Sequence, residues 1–414
     1  MSNIDNTSID QYLEDLEVAK QDIKESLEKK GATVTGGLSS YAGFIDALET
    51  ADMRQHLPNG ISFDGSTIDV FDLSPYDWSM VYDYSEMFKD CTELTGFGDN
   101  LGNAFENMLA CKYMFYNCDS LTTIPQLDTS KVMNMDHMFL GCYSLTTIPQ
   151  LDTSKVMNMR GMFYNCVSLT TIPQLDTSKV TNMDQMFYNC DSLTTIPQLD
   201  TSKVMNMNYM FYKCTTLTSI PQLDTSKVMN MDQMFWSCNS LTTIPQLDTS
   251  KVTNMNYMFY NCVSLTTIPL LDTSKVTNMG GMFKDCISLT SIPQLDTSKV
   301  TAIESMLSGC TSLTSIPLLD CSSVINTYSP IGYYNLNSLT DIGGFKNLKV
   351  GWSSNFLDKV PNATVESLMN VINNLYDLTS NGLSGQTLKF GTTNLNKLTA
   401  EQKAVATNKG WTLT

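Results

Sequence analysis

Nine cysteines recur at an unbroken interval of 24 residues, and this interval constrains the fold more than any other feature of the chain. Each cysteine belongs to a copy of one unit, which reads CDSLTTIPQLDTSKVMNMNYMFYK at residues 190–213. A unit of this length is too short to close a hydrophobic core alone, so stacked copies must bury a continuous core between them. The sequence therefore predicts a solenoid. The nine residues are Cys118, Cys142, Cys166, Cys190, Cys214, Cys238, Cys262, Cys286 and Cys310.

Three segments of the unit predict local structure. Leu-Thr-Thr-Ile before a proline is short, alternating and β-rich, which predicts one strand in each coil, ended where proline lacks its N–H. Leu-Asp-Thr-Ser predicts a turn whose aspartate accepts backbone N–H groups. Met-x-x-Met-Phe predicts a short helical or 3₁₀ turn with one apolar edge. The expected fold is mainly β with short helices, built as a solenoid of 24-residue coils.

The regular units occupy residues 121–338, and the two ends differ from them. Residues 53–120 read as degenerate capping repeats, and 339–414 as a small α+β C-terminal cap in which Thr399 begins a capping box. Residues 1–52 predict a helical segment that either attaches the protein to a partner or caps the solenoid. Its first helix carries a heptad seam that is too short to form a free coiled coil, formed by Ile9, Leu13, Leu16, Ile23 and Leu27.

The charge is concentrated at the N-terminal end of the chain. Residues 1–90 carry 18 acidic and 6 basic side chains, and the whole chain has a formal net charge of −17. A nearly neutral solenoid lacks the basic stripes that nucleic-acid binding requires, so we expect no nucleic-acid partner. No apolar run approaches a membrane span and no signal peptide is visible, so we expect no membrane insertion and synthesis in a cytoplasm. The acidic end suits either a basic partner or solvent alone.

The residues needed for catalysis are not grouped in the sequence. The chain has two histidines, and its cysteines come one to a coil rather than in the clusters that bind zinc. We expect no enzyme activity, no catalytic residues, no cofactor and no metal site, with the thiols free and half-buried. A calcium row along the repeated aspartates is the weaker interpretation. The favoured one is that each aspartate caps a turn and pairs with the lysine three residues later, as in Asp200 and Lys203.

One column of the repeat is aromatic, and we expect it to bind a ligand or to cover the edge of the coils. Aromatic faces at steps of about 5 Å could stack on sugar rings or anchor a protein interface. Pairs that vary between coils, such as Asp136-His137 and Asn208-Tyr209, are expected to face solvent and to contribute to recognition. The candidate ligand-binding residues are Tyr164, Tyr188, Tyr212, Trp236 and Tyr260.

The unit Leu-Thr-x-Ile-Pro-x-Leu-Asp-Thr-Ser-Lys-Val-x-Asn-Met-x-x-Met-Phe-x-x-Cys resembles the BspA-like leucine-rich repeats of bacterial and mycoplasmal surface proteins over about residues 85–340. The resemblance implies a leucine-rich-repeat-type β-solenoid, display on a surface and adhesion. The two ends, Tyr12 to Ala42 and Leu398 to Trp411, are similar to segments of structural and repeat proteins of gut bacteriophages, of the crAss-like kind. This second resemblance implies a protein that leaves its cell by lysis.

Together these features predict a non-enzymatic bacteriophage virion protein: a fibre, a decoration or a receptor-binding element. Residues 1–52 would dock to other virion proteins, and the solenoid would bind a protein or glycan on the host surface. Several copies in each particle, or a homo-oligomer, are expected. The alternatives are a bacterial surface adhesin exported without a classical signal peptide and an intracellular scaffold.

Overall fold

The structure is a computed structural model that describes residues 55–56, 62–73, 76–99, 101, 104–325, 328–330, 332, 336–352 and 357–414. The chain divides into two units, Met1–Gln55 and His56–Thr414. The helices predicted within residues 1–52, and with them the heptad residues, lie outside the described part. The second unit is a repeat solenoid followed by a small α/β end.

The regular elements of the described residues cluster at the two ends of the repeat. The strands β1 to β4 come first, β5 to β8 lie in the last coils, and a 3₁₀ helix precedes the final segment of helices and strands. Their bounds are β1 Gln55–His56, β2 Val70–Phe71, β3 Tyr76–Asp77, β4 Gly96–Phe97, β5 Ser315–Ile316, β6 Leu319–Asp320, β7 Asp341–Ile342, β8 Phe345–Lys346, the 3₁₀ helix Leu357–Lys359, α1 Val365–Asn374, β9 Gln386–Leu388, α2 Gly391–Leu395, α3 Ala400–Asn408 and β10 Trp411–Leu413.

Each coil buries the same set of apolar side chains, and the sets stack into columns. Phenylalanine forms the largest column: the rings of Phe187 and Phe211 lie 5.7 Å apart and 5° from parallel, and those of Phe211 and Phe235 lie 5.5 Å apart. Because one coil has only one layer of side chains, every coil depends on its two neighbours for burial. In one coil the buried apolar residues are Leu193, Ile196, Leu199, Val204, Met207, Met210, Phe211 and Cys214.

The backbone N–H groups of the Met-x-x-Met-Phe segment form hydrogen bonds in two directions, along the chain and to the next coil. The N–H groups of Gln185, Phe187 and Asn189 donate to carbonyls of the next coil at 2.6–3.0 Å, whereas the residues between them bond three positions back along the chain. Gln185 and Asn189 have φ near 58–59°, the left-handed region, which directs alternate N–H groups along the solenoid axis. The predicted helical turn is therefore a series of tight turns linked to the next coil.

The expected strand in every coil is wrong for the regular repeats. The Leu-Thr-Thr-Ile segments share one backbone bond with the neighbouring coil, such as Thr170 N–H to the Thr146 carbonyl at 3.1 Å. Most of the isolated parallel bridges between regular coils join asparagines outside these segments, and one joins Ser291 to Ser315. Proline in each coil lacks the N–H that would continue the ladder. Where Gly343 takes the proline position, its N–H bonds to the Ile316 carbonyl at 2.9 Å, and β5 and β7 pair there.

All twelve cysteines are free, as predicted, but they are fully rather than half buried. In the regular coils the thiol donates a hydrogen bond to the phenylalanine carbonyl of the preceding coil, for example Cys190 Sγ to the Phe163 oxygen at 3.1 Å. Burial raises the pKa of these thiols, to about 12 for Cys262 and Cys310. Each thiol is therefore a small apolar core group whose one donor is used.

At the C-terminal end helix α1 packs against β7 and β8 of the last coils, helix α3 packs against α1, and β10 packs against α3. Helix α1 begins at the cap Thr364, whose hydroxyl accepts the Ser367 N–H, and buries Leu368, Val371 and Ile372. Helix α3 begins with a complete capping box in which Thr399 and Gln402 bond reciprocally. Strands β9 and β10 pair in parallel. The end of the solenoid core is thus covered by side chains of other elements.

Candidate binding surfaces of the solenoid

The five predicted ligand-binding aromatics form one continuous row, because they occupy the same position of five successive coils. Ring centroids lie 4.2 Å apart for Tyr164 and Tyr188, 4.3 Å for Tyr188 and Tyr212, 5.5 Å for Tyr212 and Trp236, and 3.9 Å for Trp236 and Tyr260. All five side chains are half-buried. Their faces stack on one another, so the row presents ring edges and polar tips to solvent.

Two further tyrosines extend this row sideways: Tyr209, which belongs to a variable pair expected to contribute to recognition, and Tyr257, which was not named from the sequence. Tyr209 lies three residues before Tyr212, and its ring is tilted against Tyr188 and Tyr212. Tyr257 holds the equivalent place beside Trp236, with centroids 5.1 Å apart. In the sequence, each of these tyrosines lies three residues before an aromatic residue of the row, and this spacing could have predicted the contact. We call the resulting cluster the aromatic patch; it comprises Tyr188, Tyr209, Tyr212, Trp236, Tyr257 and Tyr260.

Charged and amide groups surround the aromatic patch. Gln233 Nε2 donates to the Tyr209 hydroxyl at 3.0 Å, and the Lys284 ammonium lies 5.2 Å from the Tyr260 ring centre. Burial and the carboxylate of Asp232 raise the pKa of Tyr209 to about 12. The Tyr209 phenol therefore stays protonated at neutral pH and can donate as well as accept a hydrogen bond.

The variable pair Asp136-His137 does not face solvent, contrary to the sequence-based expectation. Both residues are only 6% exposed, and His137 Nδ1 lies 2.8 Å from Asp136 Oδ1. The His137 ring stacks on Tyr113 at 5.1 Å and covers Gly161 of the next coil, where a Cβ would approach the ring to 2.5 Å. The large His137 side chain in one coil is thus accommodated by Gly161 in the next. Asp136 and His137 therefore pack between coils and do not form part of an exposed surface.

A second surface is an open groove lined by glutamine, aspartate and serine, which we call the acidic groove. Its larger part has a volume of about 1270 Å³ and spans residues 198–296; a second part of about 810 Å³ spans residues 126–176. Gln198 Nε2 donates to the Gln222 carbonyl at 2.7 Å, and the same bond repeats in neighbouring coils. The groove carries one carboxylate per coil: Asp128, Asp152, Asp176, Asp200, Asp224, Asp248, Asp272 and Asp296.

The predicted capping by these aspartates is confirmed, whereas their predicted pairing with lysine is not formed. Asp200 Oδ1 accepts the Ser202 N–H at 3.0 Å, and hydrogen bonds from Ser202 lower the pKa of the carboxyl. Within residues 121–320, all of them described, no repeated aspartate lies within 4.0 Å of a repeated lysine. The tight turn from Thr201 to Val204, closed by a 2.9 Å bond, places the intervening lysine at a corner of the coil.

The corner lysines form a third surface beside the acidic groove, which we call the lysine ridge. All eight are exposed, and next to them runs a column that includes the exposed Met133, Met157, Met205 and Met229. The ridge consists of Lys131, Lys155, Lys179, Lys203, Lys227, Lys251, Lys275 and Lys299.

The described residues contain neither a cluster suited to a metal ion nor a helix suited to a membrane span. No group of three or more His, Cys, Asp or Glu side chains in this part of the chain is arranged to hold a metal ion. No helix among the same residues has the length and apolar character needed to cross a membrane.

Coils joined by hydrogen bonds at a constant interval, with aromatic and charged columns outside, define a repeat solenoid. The chain belongs to the family described as "Mycoplasma protein of unknown function, DUF285", which matches residues 45–123, 106–218, 169–267 and 239–335. This match agrees with the mycoplasmal part of the resemblance predicted from the unit. No curated protein matches the chain.

Solved leucine-rich-repeat structures are similar to parts of the chain. A leucine-rich cell surface protein of Faecalibacterium prausnitzii is 19% identical, covers 71% of this chain and 88% of its own, and has a TM-score of 0.30. The leucine-rich-repeat protein of T. pallidum is 16% identical over 64% of this chain and 89% of its own, with a TM-score of 0.19. The functional domain of InlJ from Listeria monocytogenes, which includes a cysteine ladder, is 15% identical over 75% and 67%, with a TM-score of 0.21.

Proposed function

We propose that this chain is a non-enzymatic display protein whose solenoid binds a protein or glycan on a cell surface. The aromatic patch carries the proposal. Six aromatic side chains lie together in coils that otherwise repeat one another, and each of them remains partly exposed. Aromatic side chains with a polar tip are typical anchors of protein and carbohydrate interfaces, because one end excludes water while the other forms hydrogen bonds.

The stacking distances limit how a ligand binds to this patch. A sugar ring cannot enter between Tyr188 and Tyr212, whose centroids are 4.3 Å apart. A ligand therefore lies across the ring edges and bonds to the phenol hydroxyls of successive coils. A linear glycan or an extended peptide running along the solenoid suits this row better than a single sugar.

Removing three hydroxyls while keeping the rings tests this mode of binding. In the full chain, the combined Tyr188→Phe, Tyr212→Phe and Tyr260→Phe variant should bind its target cells at least about tenfold more weakly, since each lost hydrogen bond costs about 1 kcal/mol. Its melting temperature should stay close to that of the unmodified chain, because the stack persists. Binding is measured by flow cytometry of labelled protein on a panel of intact gut bacteria.

The matched control removes exposed hydroxyls elsewhere on the coils, in Thr195→Val, Thr243→Val and Thr267→Val, and should leave binding unchanged. If the Tyr→Phe variant binds normally, and alanine at the same positions lowers stability without a selective loss of binding, the patch is packing rather than a binding surface. Each stacked pair contributes about 0.5–1.5 kcal/mol, so alanine is expected to lower the melting temperature as well.

For the setting of this activity we propose a bacteriophage virion, as a fibre, decoration or receptor-binding element present in several copies. The resemblance of the two chain ends to phage proteins supports this setting. The alternative, a bacterial surface adhesin exported by another route, is favoured by the family match to a Mycoplasma protein. Quantitative mass spectrometry of gradient-purified particles and of cell envelopes from one culture separates them: enrichment in particles is expected, and enrichment in envelopes alone would reject the virion.

We further propose that residues 1–52 dock the protein to other virion proteins through the heptad seam. Replacing Leu13 and Leu16 by serine in the full chain should reduce the copies per particle severalfold, since these positions form the apolar seam. Glu14→Gln and Glu17→Gln are the matched control off the seam. Normal incorporation of the serine variant, measured by quantitative mass spectrometry, would reject docking through this helix.

A further inference from the structure

The lysine ridge and the acidic groove run side by side along the same eight coils. The ridge lysines make no hydrogen bond or ion pair within residues 121–320, and the groove aspartates bond to serine rather than to lysine. Each coil from Asp128 to Lys299 therefore presents one exposed cation next to one carboxylate, with no direct ion pair between them. The charge of each lysine contributes to the lowered pKa of the aspartate in its own coil, but less than the serine hydrogen bonds do, so both rows can still gain from opposite charge on another surface.

We propose that a second copy of this chain docks here, with the lysine ridge of each copy in the acidic groove of the other. A partner for both surfaces must offer a cationic ridge and an anionic groove with the same coil-to-coil spacing. Another copy of this chain meets both conditions. The two surfaces lie next to each other, so one rotation can satisfy both contacts in a self-complementary interface.

Geometry fixes the orientation of the two copies. A two-fold axis running along the solenoid direction exchanges left and right, which places each ridge opposite the partner's groove. A two-fold axis across the solenoid would instead place ridge against ridge and groove against groove. The copies must therefore lie parallel and in register, so that Lys227 of one chain lies opposite the carboxylate at Asp224 of the other.

The interface is held by many weak pairs, so it should respond strongly to salt. Exposed ion pairs contribute little individually and are screened at high ionic strength. We expect full-length protein to be a dimer at low salt and to dissociate as salt is raised, with the dissociation constant increasing tenfold or more. Sedimentation velocity over a series of concentrations measures it. A chain that stays monomeric at low salt overturns the proposal.

Charge reversal on the ridge separates this interface from association through residues 1–52. The Lys203→Glu, Lys227→Glu, Lys251→Glu and Lys275→Glu variant should be monomeric at salt concentrations where the unmodified chain is a dimer. The control carries the same net charge by reversing lysines off the ridge: Lys213→Glu, Lys284→Glu, Lys349→Glu and Lys403→Glu. Equal effects of the two sets, or none from the ridge set, overturn the proposal.

A milder substitution guards against misfolding, and a pair of dyes tests the orientation. Lys→Gln at the same four ridge positions removes charge without adding repulsion, and should still weaken the dimer.

Because the native thiols are buried, Thr414→Cys provides one reactive site at the chain end. Mixing donor- and acceptor-labelled chains should give efficient energy transfer, since parallel copies keep like ends together. A dimer without transfer overturns the parallel arrangement.

Discussion

Raising the pH from about 8 to about 10.5 should unfold the solenoid in one steep transition. The buried thiols are the reason. Their pKa is raised by burial, to about 11 for Cys91 and about 12 for Cys111, and further for most of the regular ladder. In the unfolded chain the same thiols titrate near their ordinary value, about 8.5–9.

The sign of the effect follows from which state keeps its protons. Above about pH 9 the unfolded chain loses thiol protons while the folded chain retains them, so stability falls as pH rises toward the folded values. Each thiol then costs about 1 kcal/mol for every pH unit. A folded domain is typically stable by about 5–15 kcal/mol. Twelve such thiols therefore remove this stability over about one to two pH units. Tyr84, whose pKa burial raises to about 12, acts in the same direction.

Circular dichroism and thiolate absorbance, followed together through a pH titration, measure this transition. The two signals should change at the same pH, since thiols ionise only as coils open. The Cys190→Ala, Cys214→Ala and Cys238→Ala variant should be less stable at neutral pH and yet lose stability more slowly with rising pH. Thiols that ionise near pH 9 while the fold is intact, or that react with a thiol reagent in the folded protein, would show that the ladder is accessible.

Alanine in place of Phe211 should lower the free energy of unfolding by about 3–5 kcal/mol. The ring is fully buried and stacks on Phe187 and Phe235, so its removal opens a cavity in the middle of the largest column. Because coils are stabilised by their neighbours, this loss can also separate the solenoid into two cooperative halves. Denaturant titration followed by circular dichroism should show a lower midpoint or a second transition.

Phe211→Leu is the matched control, because the chain itself places Leu307 at the corresponding position of a later coil. Leucine keeps most of the buried volume, so a clearly smaller loss is expected. If alanine and leucine each cost under about 1 kcal/mol, the phenylalanine column contributes little to stability, and the turns and hydrogen bonds hold the coils.

Repetition made the solenoid and its interior predictable. A strict interval forces equivalent residues into columns, so the stacking of cysteines, methionines and phenylalanines follows from the sequence, although the full burial of the thiols does not. The capping role of Asp200 could also be predicted, because its carboxylate accepts the N–H of Ser202, only two residues later in the same turn. The helices that begin at Thr364 and Thr399 likewise carry their capping residues in the sequence.

The features that could not be predicted from the sequence depend on contacts between neighbouring coils. The strand in each coil was inferred from one segment, but a ladder needs N–H donors in the next coil, and proline removes one. The burial of His137 depends on Gly161 in the following coil, which leaves room for the ring. Tyr209 joins the aromatic patch only because its coil places it beside Tyr188. These contacts lie 21–24 residues apart and follow no local pattern.

The hydrogen bonds that link each coil only to its neighbours make the number of coils adjustable. Almost identical repeats favour unequal recombination, and the gain or loss of one whole unit would leave every remaining bond and side-chain column intact. Each such event would lengthen or shorten the protein by about 4.8 Å and move the aromatic patch relative to the C-terminal end. Related chains can thus evolve different reach while keeping one binding surface.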